Sequence, residues 1–246
     1  MENAQLIALS RQSALRSQLD VVANNMANIN TTGFKSQRML FEEYVMPVAE
    51  ATEFQPTDRN LSYVHDYGTL TNFETGSIKT TGNDFDLAVD GEGFFVVQMA
   101  DGTEAYTRNG SFHLNNNGQL VTSEGRPVLT DRGPITFSQQ DGKIEISQDG
   151  TISTEQGISG TIRLVNFGNP QELIQVGDSL FTGGTPVQMT DGKIVQGAIE
   201  QSNVQGVEEI SRVIEITRAY EIISKLMKDT DDLRQQAIST LGRLQA

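Results

Sequence analysis

The stretch from Asp84 to Glu92 concentrates carboxylates that could do chemistry. Neighbouring acids such as Asp86 and Asp90 can ligate calcium or act as an acid–base pair. However, the glycine that a calcium loop needs at its sixth position is missing. The apolar residues between the acids alternate with them, as in a half-buried strand: Phe85, Leu87 and Val89. The pattern therefore favours a structural role for these carboxylates.

Three other features resemble chemical motifs only weakly. Gly91-Glu92-Gly93 lacks the third glycine of a dinucleotide-binding loop, because Val96 stands at that position. Residues 157–160, GISG, are only a near match to a nucleophile elbow. His65 and His113 are far apart in the sequence and lack the spacing typical of metal ligands. We predict no catalytic residue, no metal site and no cofactor.

Composition excludes several further classes of function. The 246 residues carry a formal net charge of -14, which argues against nucleic acid as a partner. The absence of cysteine rules out disulfides and thiolate chemistry. No apolar run is long enough for a membrane span or a typical cleaved leader, so we expect no direct membrane insertion and no cleaved signal peptide.

Both ends of the chain have the spacing of coiled-coil helices. Near the N-terminus, apolar residues recur at alternating intervals of four and three, which is the seam of a coiled coil: Leu15, Leu19, Val22, Met26 and Ile29. A similar seam follows near the C-terminus: Val213, Ile216, Tyr220, Ile223, Met227, Thr230, Ala237, Leu241 and Leu244. We predict that these two seams pair with each other.

The middle of the chain is typical of an all-β domain. Asp-Gly and Asn-Gly dipeptides recur at 90, 101, 109, 117, 141, 149 and 191 and indicate tight turns between short strands. The predicted strands are 84–89, 94–99, 111–114, 119–122, 143–146, 162–166 and 193–196. The predicted fold is a multi-part α+β chain with an N-terminal axial helix (1–35), an extended connector (36–75), a central β domain (76–206) and a C-terminal axial helix (207–246).

The first helix contains an unusual number of asparagines, and asparagine is a poor helix former. If Leu19 and Val22 belong to the seam, the amides fall on the outer faces of the helix: Asn24, Asn25, Asn28 and Asn30. Asn30-Thr31-Thr32-Gly33 indicates a helix end with Gly33 as a left-handed cap. The other amides either hydrogen-bond to neighbouring subunits or are tolerated on a solvated face.

The sequence LDVVANNMANINTTGFK resembles the N-terminal signature of the bacterial flagellar rod and hook family. The resemblance continues, in the order of the family, through LAVDGEGFFVV, AYTRNGSFHLNNNGQLVTSEGRPVL, IEQSNV and RAYE. The opening MENAQLIALSRQ, the later LFEEYVMP and the modest length are most similar to proximal rod members. Distal rod and hook-type axial subunits are the alternative.

The resemblance implies an axial subunit whose paired terminal helices form the inner layer of a helical tube, with the β domain outside. It implies export through the flagellar apparatus, a place in the basal body that spans the periplasm, and contacts with copies of itself and with other proximal and distal rod subunits. By motif match, the subunit-packing residues are Asn24, Asn25, Asn28, Thr31, Thr32, Gly33, Phe34, Ser202, Asn203, Val204, Arg218, Ala219, Tyr220 and Glu221. This sequence departs from the family pattern at Gln205-Gly206, just before the last helix.

We therefore predict a structural subunit that transmits torque, with no small-molecule substrate. The alternative function is enzymatic: an exported hydrolase that uses two acids of the β domain. Such an enzyme needs opposed carboxyl groups about 5 to 10 Å apart in a cleft.

Overall fold

The computed structural model describes residues 2–46, 61–138, 140–189 and 191–243. Two compact units are formed by separate parts of the chain. The first unit comprises the described parts of 1–26, 37–70 and 205–246, and the second comprises the described parts of 27–36 and 71–204. Among the described residues, no helix has the length and apolar character that crossing a membrane would require.

The first unit contains two long helices and a two-stranded sheet. Helix α1 runs from Glu2 to Ala27, and α2 runs from Gly206 to Arg243. Strand β1, Gln37–Met46, pairs with β2, Leu61–Thr71. The segment predicted to be a connector thus contains two paired strands in its described parts, so the absence of a regular pattern there was misleading. Residues 47–60 of that segment, and Leu244 of the predicted seam, lie outside the described residues.

The terminal helices pack against each other, as the two apolar seams predicted. Gln12 Nε2 donates a hydrogen bond to Ser224 Oγ at 3.1 Å. Val22, Ile216 and Ile223 are buried, and Leu15 and Leu19 are half-buried. The glycine at the departure from the family pattern, Gly206, is the first residue of α2.

The second unit is built from short strands, which confirms the predicted α+β class. They are β3 (Ile78–Thr80), β4 (Leu87–Asp90), β5 (Phe94–Gln98), β6 (Glu104–Thr107), β7 (Phe112–Leu114), β8 (Leu120–Thr122), β9 (Leu129–Thr130), β10 (Gly133–Pro134), β11 (Glu145–Ile146), β12 (Thr151–Thr154), β13 (Gly157–Thr161), β14 (Leu164–Phe167), β15 (Ile174–Gly177), β16 (Leu180–Thr182), β17 (Pro186–Gln188), β18 (Lys193–Gln196) and β19 (Ala198–Glu200), with a 3-10 turn at Pro170–Glu172. Each of the seven predicted strands overlaps one of these.

A six-stranded sheet, in the order β15-β16-β6-β5-β14-β17, organises the second unit. Smaller sheets pair β18 with β4, β19 with β3, β7 with β8, β10 with β9, and β11-β12-β13 in a row. Strand β5 explains the continuous apolar run FFVV. Phe95 and Val97 belong to one core, and Phe94 and Val96 belong to another. The strand is therefore buried on both faces, which removes the usual alternation.

Two details of the sequence interpretation were wrong. Residues 83–86 form a turn rather than the start of a strand, and Leu87, Ala88 and Val89 are all buried. Asn109-Gly110 and the Asp-Gly pairs at 90, 141 and 191 do not join hairpins, because in each case the strands on either side lie in different sheets. Gly110 is required there for space, since a Cβ would lie 1.6 Å from the carbonyl oxygen of Leu87.

Candidate functional site

The segment that follows α1 is anchored in the second unit by its own backbone. Gly33 donates its backbone N–H to the carbonyl of Glu200 at 2.8 Å. Gly33, Phe34, Lys35 and Ser36 are all buried. Gly33 has a φ of 65°, so its left-handed conformation was predicted correctly. It does not cap the helix, however, because α1 ends at Ala27 and a further turn, in which the Thr31 N–H donates to the Asn28 carbonyl, comes before Gly33.

Glu200 is the centre of a buried cluster of charges. One carboxylate oxygen accepts hydrogen bonds from Lys35 Nζ at 2.6 Å and from the Gly76 backbone N–H at 2.8 Å. The other accepts from Arg108 Nη1 at 3.2 Å. The side chains of Lys35, Arg108 and Glu200 are no more than 3% exposed. Two cations therefore share one anion in an environment where an unpaired charge would be costly.

Neighbouring backbone and aromatic groups complete this Glu200 cluster. Lys35 Nζ also donates to the Glu74 carbonyl at 2.7 Å, and Arg108 Nη1 donates to the Gly91 carbonyl at 2.8 Å. The Arg108 guanidinium lies 5.2 Å from the centroid of the Phe94 ring, within range of a cation–π interaction. Burial lowers the pKa of Lys35 and that of Arg108, and the carboxylate of Glu200 opposes both shifts. Positive charge is thus retained inside the unit because Glu200 compensates it.

Asn203 joins three backbone segments of the second unit. Its Oδ1 accepts the Ser36 N–H at 2.7 Å, and its Nδ2 donates to the carbonyls of Asn72 and Glu74 at 2.9 and 3.0 Å. Ser202 Oγ accepts the N–H of Val204, which is buried. The stretches TTGFK, DGEGFF, TRNG and IEQSNV therefore meet around the Glu200 cluster.

In the first unit, Asn25 connects α1 to the start of β1 and to α2. Its amide donates to the Gln37 carbonyl at 2.8 Å and accepts the Gln37 N–H at 2.9 Å. Its Nδ2 lies 3.4 Å from Glu209 Oε2 of α2, and Glu209 pairs with Arg212. Asn25 is fully buried, so its predicted place on an outer face of the helix was wrong.

The remaining predicted packing residues are partly or fully accessible. Met26 and Ile29 are 37% and 36% exposed, and Ile29 lies beyond the end of α1, so their assignment to the buried seam was wrong. Thr31 Oγ1 donates to Asn28 Oδ1 at 3.1 Å, and Thr32 is half-buried. Asn24, Asn30, Arg218, Tyr220 and Glu221 are exposed, and Ala219 is half-buried.

Helix α2 carries a second apolar stripe that the sequence analysis missed. At 3.6 residues per turn, this outer stripe lies away from Ile216 and Ile223. Its members are 46% to 81% exposed: Val207, Ile210, Ile214, Ile222, Leu226 and Leu233. The signal was available in the sequence, because α2 has apolar residues on more than one face. A helix that is apolar on opposite faces can bury only one of them against a single neighbouring helix.

Two of the acids considered for chemistry, Asp86 and Glu92, have structural partners. Asp86 accepts hydrogen bonds from Thr81 Oγ1 at 2.6 Å and Asn83 Nδ2 at 3.1 Å, which fixes the turn before β4. Glu92 accepts from Asn166 at 3.0 Å. His113 is exposed on β7, and His65 has no described side chain. Among the described residues, no group of three or more acids and histidines is placed to hold a metal ion.

Two paired terminal helices, an exposed apolar stripe and a separate β-rich unit are features of a structural protein. Family models match three parts of the chain: "Flagella basal body rod protein" at residues 6–35, "Flagellar hook protein FlgE/F/G D1 domain" at 88–154 and "Flagellar basal body rod FlgEFG protein C-terminal" at 195–240. The chain belongs to the flagellar basal-body rod protein family.

Curated relatives extend this similarity over nearly the whole chain. The flagellar basal-body rod protein FlgF of Caulobacter vibrioides is 42% identical, covering 99% of this chain and all of the relative. The FlgF of Mesorhizobium japonicum is 35% identical over 98% of this chain and 99% of the relative. A FlgG rod protein of Buchnera aphidicola is 35% identical over 89% of this chain and 92% of the relative.

Proposed function

We propose that this chain is a structural subunit of the proximal part of the flagellar basal-body rod. The near full-length similarity to two FlgF proteins supports that position. Similarity to FlgG proteins over 89% of the chain makes the distal rod the second candidate. The chain passes through the flagellar export apparatus and contributes to a shaft that spans the periplasm.

The observation that carries the assembly mechanism is the outer stripe of α2. Ile216 and Ile223 are covered by α1, whereas Ile222 and Leu226 on other faces remain 69% and 59% exposed. Apolar area of this extent is stabilised when another subunit covers it. The terminal helices are thus the layer through which neighbouring subunits bind and through which torque passes.

Hydrogen bonds within the β-rich second unit fix the chain segments next to both helices. The Glu200 cluster and Asn203 hold the segment that follows α1 and the segment that precedes α2. These two segments therefore belong to one hydrogen-bonded region of the second unit. In this mechanism the packing residues near these segments act by holding together the chain that follows α1 and the chain that precedes α2: Gly33, Phe34, Ser202, Asn203 and Val204.

Limited proteolysis with mass spectrometry tests this proposal. The chain is digested both as the purified protein and within basal bodies isolated from the native bacterium. We expect cleavage within α1 and α2 to be slower in basal bodies, because neighbouring subunits cover the outer stripe. Absence of the chain from basal bodies, or equal cleavage in both samples, would contradict the proposal.

A further inference from the structure

An apolar pocket lies between α1 and α2 on the surface of the first unit. It is lined by Leu15, Arg16, Leu19, Ile216, Thr217 and Tyr220 and has a volume of about 220 Å³. This exceeds the roughly 150 Å³ of an apolar cavity that accommodates benzene, so one branched aliphatic side chain fits. Because the pocket is open and mostly apolar, it is suited to receive such a side chain from outside.

The outer stripe supplies side chains of that kind on another face of the same helix. Ile222, Leu226 and Leu233 are exposed, and at 3.6 residues per turn they lie well away from Thr217 and Tyr220. Pocket and stripe therefore face different directions on one unit. Complementary patches on different faces of one molecule generate head-to-tail, open-ended assemblies rather than closed dimers.

Charge complementarity points to a second copy as the occupant. Arg16 is the only charged residue in the lining of the pocket. On the outer stripe, Asp229 stands three residues after Leu226 and four before Leu233, so it shares their face. Arg16 and Asp229 are both exposed, and neither forms an ion pair with a described residue. Seating Leu226 in the pocket brings a carboxylate of one copy towards the guanidinium of the other.

We propose that the pocket between α1 and α2 binds Leu226 of a second copy of this chain, with Asp229 of that copy paired to Arg16. The contact is heterologous, so each copy offers one pocket and one stripe. This inference rests on the proposed function, because it specifies which surfaces of adjacent rod subunits meet. It goes further in naming the residue pair and the direction of assembly.

Cysteine cross-linking tests the contact directly, because the chain has no cysteine of its own. Cells co-express Thr217→Cys and Leu226→Cys chains that carry different tags, and their basal bodies are oxidised and analysed. We expect a mixed-tag dimer, because a disulfide forms only where the two Cβ atoms come within about 4.5 Å. A matched control replaces Leu226→Cys with Glu124→Cys, an exposed position in the second unit, and should give no such dimer.

Each outcome is decisive. A dimer formed by Thr217→Cys alone or Leu226→Cys alone would indicate a symmetric contact and overturn the proposal. Absence of the mixed dimer, with both chains present in basal bodies, would overturn the contact and leave the proposed function intact. Absence of the unsubstituted chain from basal bodies would instead contradict the proposed function.

A charge exchange covers the case in which the cysteine chains fail to enter basal bodies. Arg16→Asp and Asp229→Arg should each cause a loss of incorporation, and the double variant should recover it. Glu124→Arg makes the same charge change as Asp229→Arg at an unrelated exposed site and should have no effect. Lack of recovery in a double variant that folds normally would overturn the proposal.

Discussion

The side-chain amide of Asn25 hydrogen-bonds to both backbone groups of Gln37, at 2.8 and 2.9 Å, in the way a neighbouring strand would. This double contact joins the last turns of α1 to the first residue of β1. It also explains why an asparagine is kept inside a helix that it does not favour. Only an amide carries a donor and an acceptor at adjacent positions, so neither a carboxylate nor an alcohol reproduces the pair.

We expect Asn25→Ala to loosen the first unit even in the absence of assembly. The change removes the two hydrogen bonds that Asn25 makes to the Gln37 N–H and C=O, at a net cost of about 0.5 to 1.5 kcal/mol for each bond. Hydrogen exchange read by mass spectrometry should show faster exchange at Gln37 and in the last turns of α1. Asn30→Ala removes the same amide from an exposed position and serves as the control. Equal exchange in the two variants would contradict the role of Asn25.

The two helices and seven of the strands could be predicted from local patterns. Alternating intervals of four and three residues identified both helices. Asp-Gly pairs marked the end of β5 and the start of β18. The placement of Asn25 could not be predicted in the same way. One residue is about 100° of helix rotation, so counting Met26 into the seam moved Asn25 to an outer face. The position of Gln37 decides whether Asn25 lies on a buried or an outer face, and that position depends on tertiary structure.

The Glu200 cluster shows the other limit of local patterns. Lys35 and Glu200 are 165 residues apart in the sequence, and no spacing rule connects them. Lysine and glutamate are almost never fully buried unless they are paired, so the sequence around Lys35 indicates neither its burial nor its partner. The outer stripe of α2 was not predicted for a different reason. A single seam accounts for only one face of the helix and leaves its other apolar residues unexplained.

Removing Glu200 should be more destabilising than removing Lys35. Glu200→Gln leaves two buried cations without an anion, whereas Lys35→Met leaves Glu200 paired with Arg108. Loss of one partner of a buried pair costs about 3 to 5 kcal/mol, so we expect Glu200→Gln to reach that range and Lys35→Met to fall below it. Urea unfolding followed by tyrosine fluorescence measures the difference. Glu145→Gln, in an exposed pair with Lys143, should change little. The reverse order of the two buried variants would show that Arg108 does not compensate Glu200.

Gly33→Ala should separate the segment after α1 from the second unit. A Cβ at Gly33 would lie 2.3 Å from the Asn109 backbone nitrogen and 2.6 Å from the Arg108 carbonyl oxygen. Since backbone atoms of β-rich structure cannot move aside cheaply, we expect rapid proteolysis within residues 27–36. Gly125→Ala is the matched control, because Gly125 also has a positive φ but has open space around its Cβ position. That control isolates the conformational strain, about 1 to 2 kcal/mol. If both variants resist proteolysis equally, the close approach at Gly33 has no structural role.

The adjacent residues Ile222 and Ile223 separate folding of the helical layer from assembly. Ile223 is 9% exposed and faces the interface with α1, so Ile223→Asp places a charge in an apolar contact and should reduce helix content measured by circular dichroism. Ile222 is 69% exposed, so Ile222→Asp should leave the helix content of the purified chain unchanged. We nevertheless expect Ile222→Asp to abolish motility and incorporation into basal bodies, because a second subunit cannot cover a carboxylate on the outer stripe. The two variants introduce the same charge one residue apart, which makes each the control for the other. Normal rods with Ile222→Asp would show that the outer stripe is not an assembly surface. An Ile222→Asp chain that folds but does not assemble would show that the exposed outer stripe is needed for rod assembly.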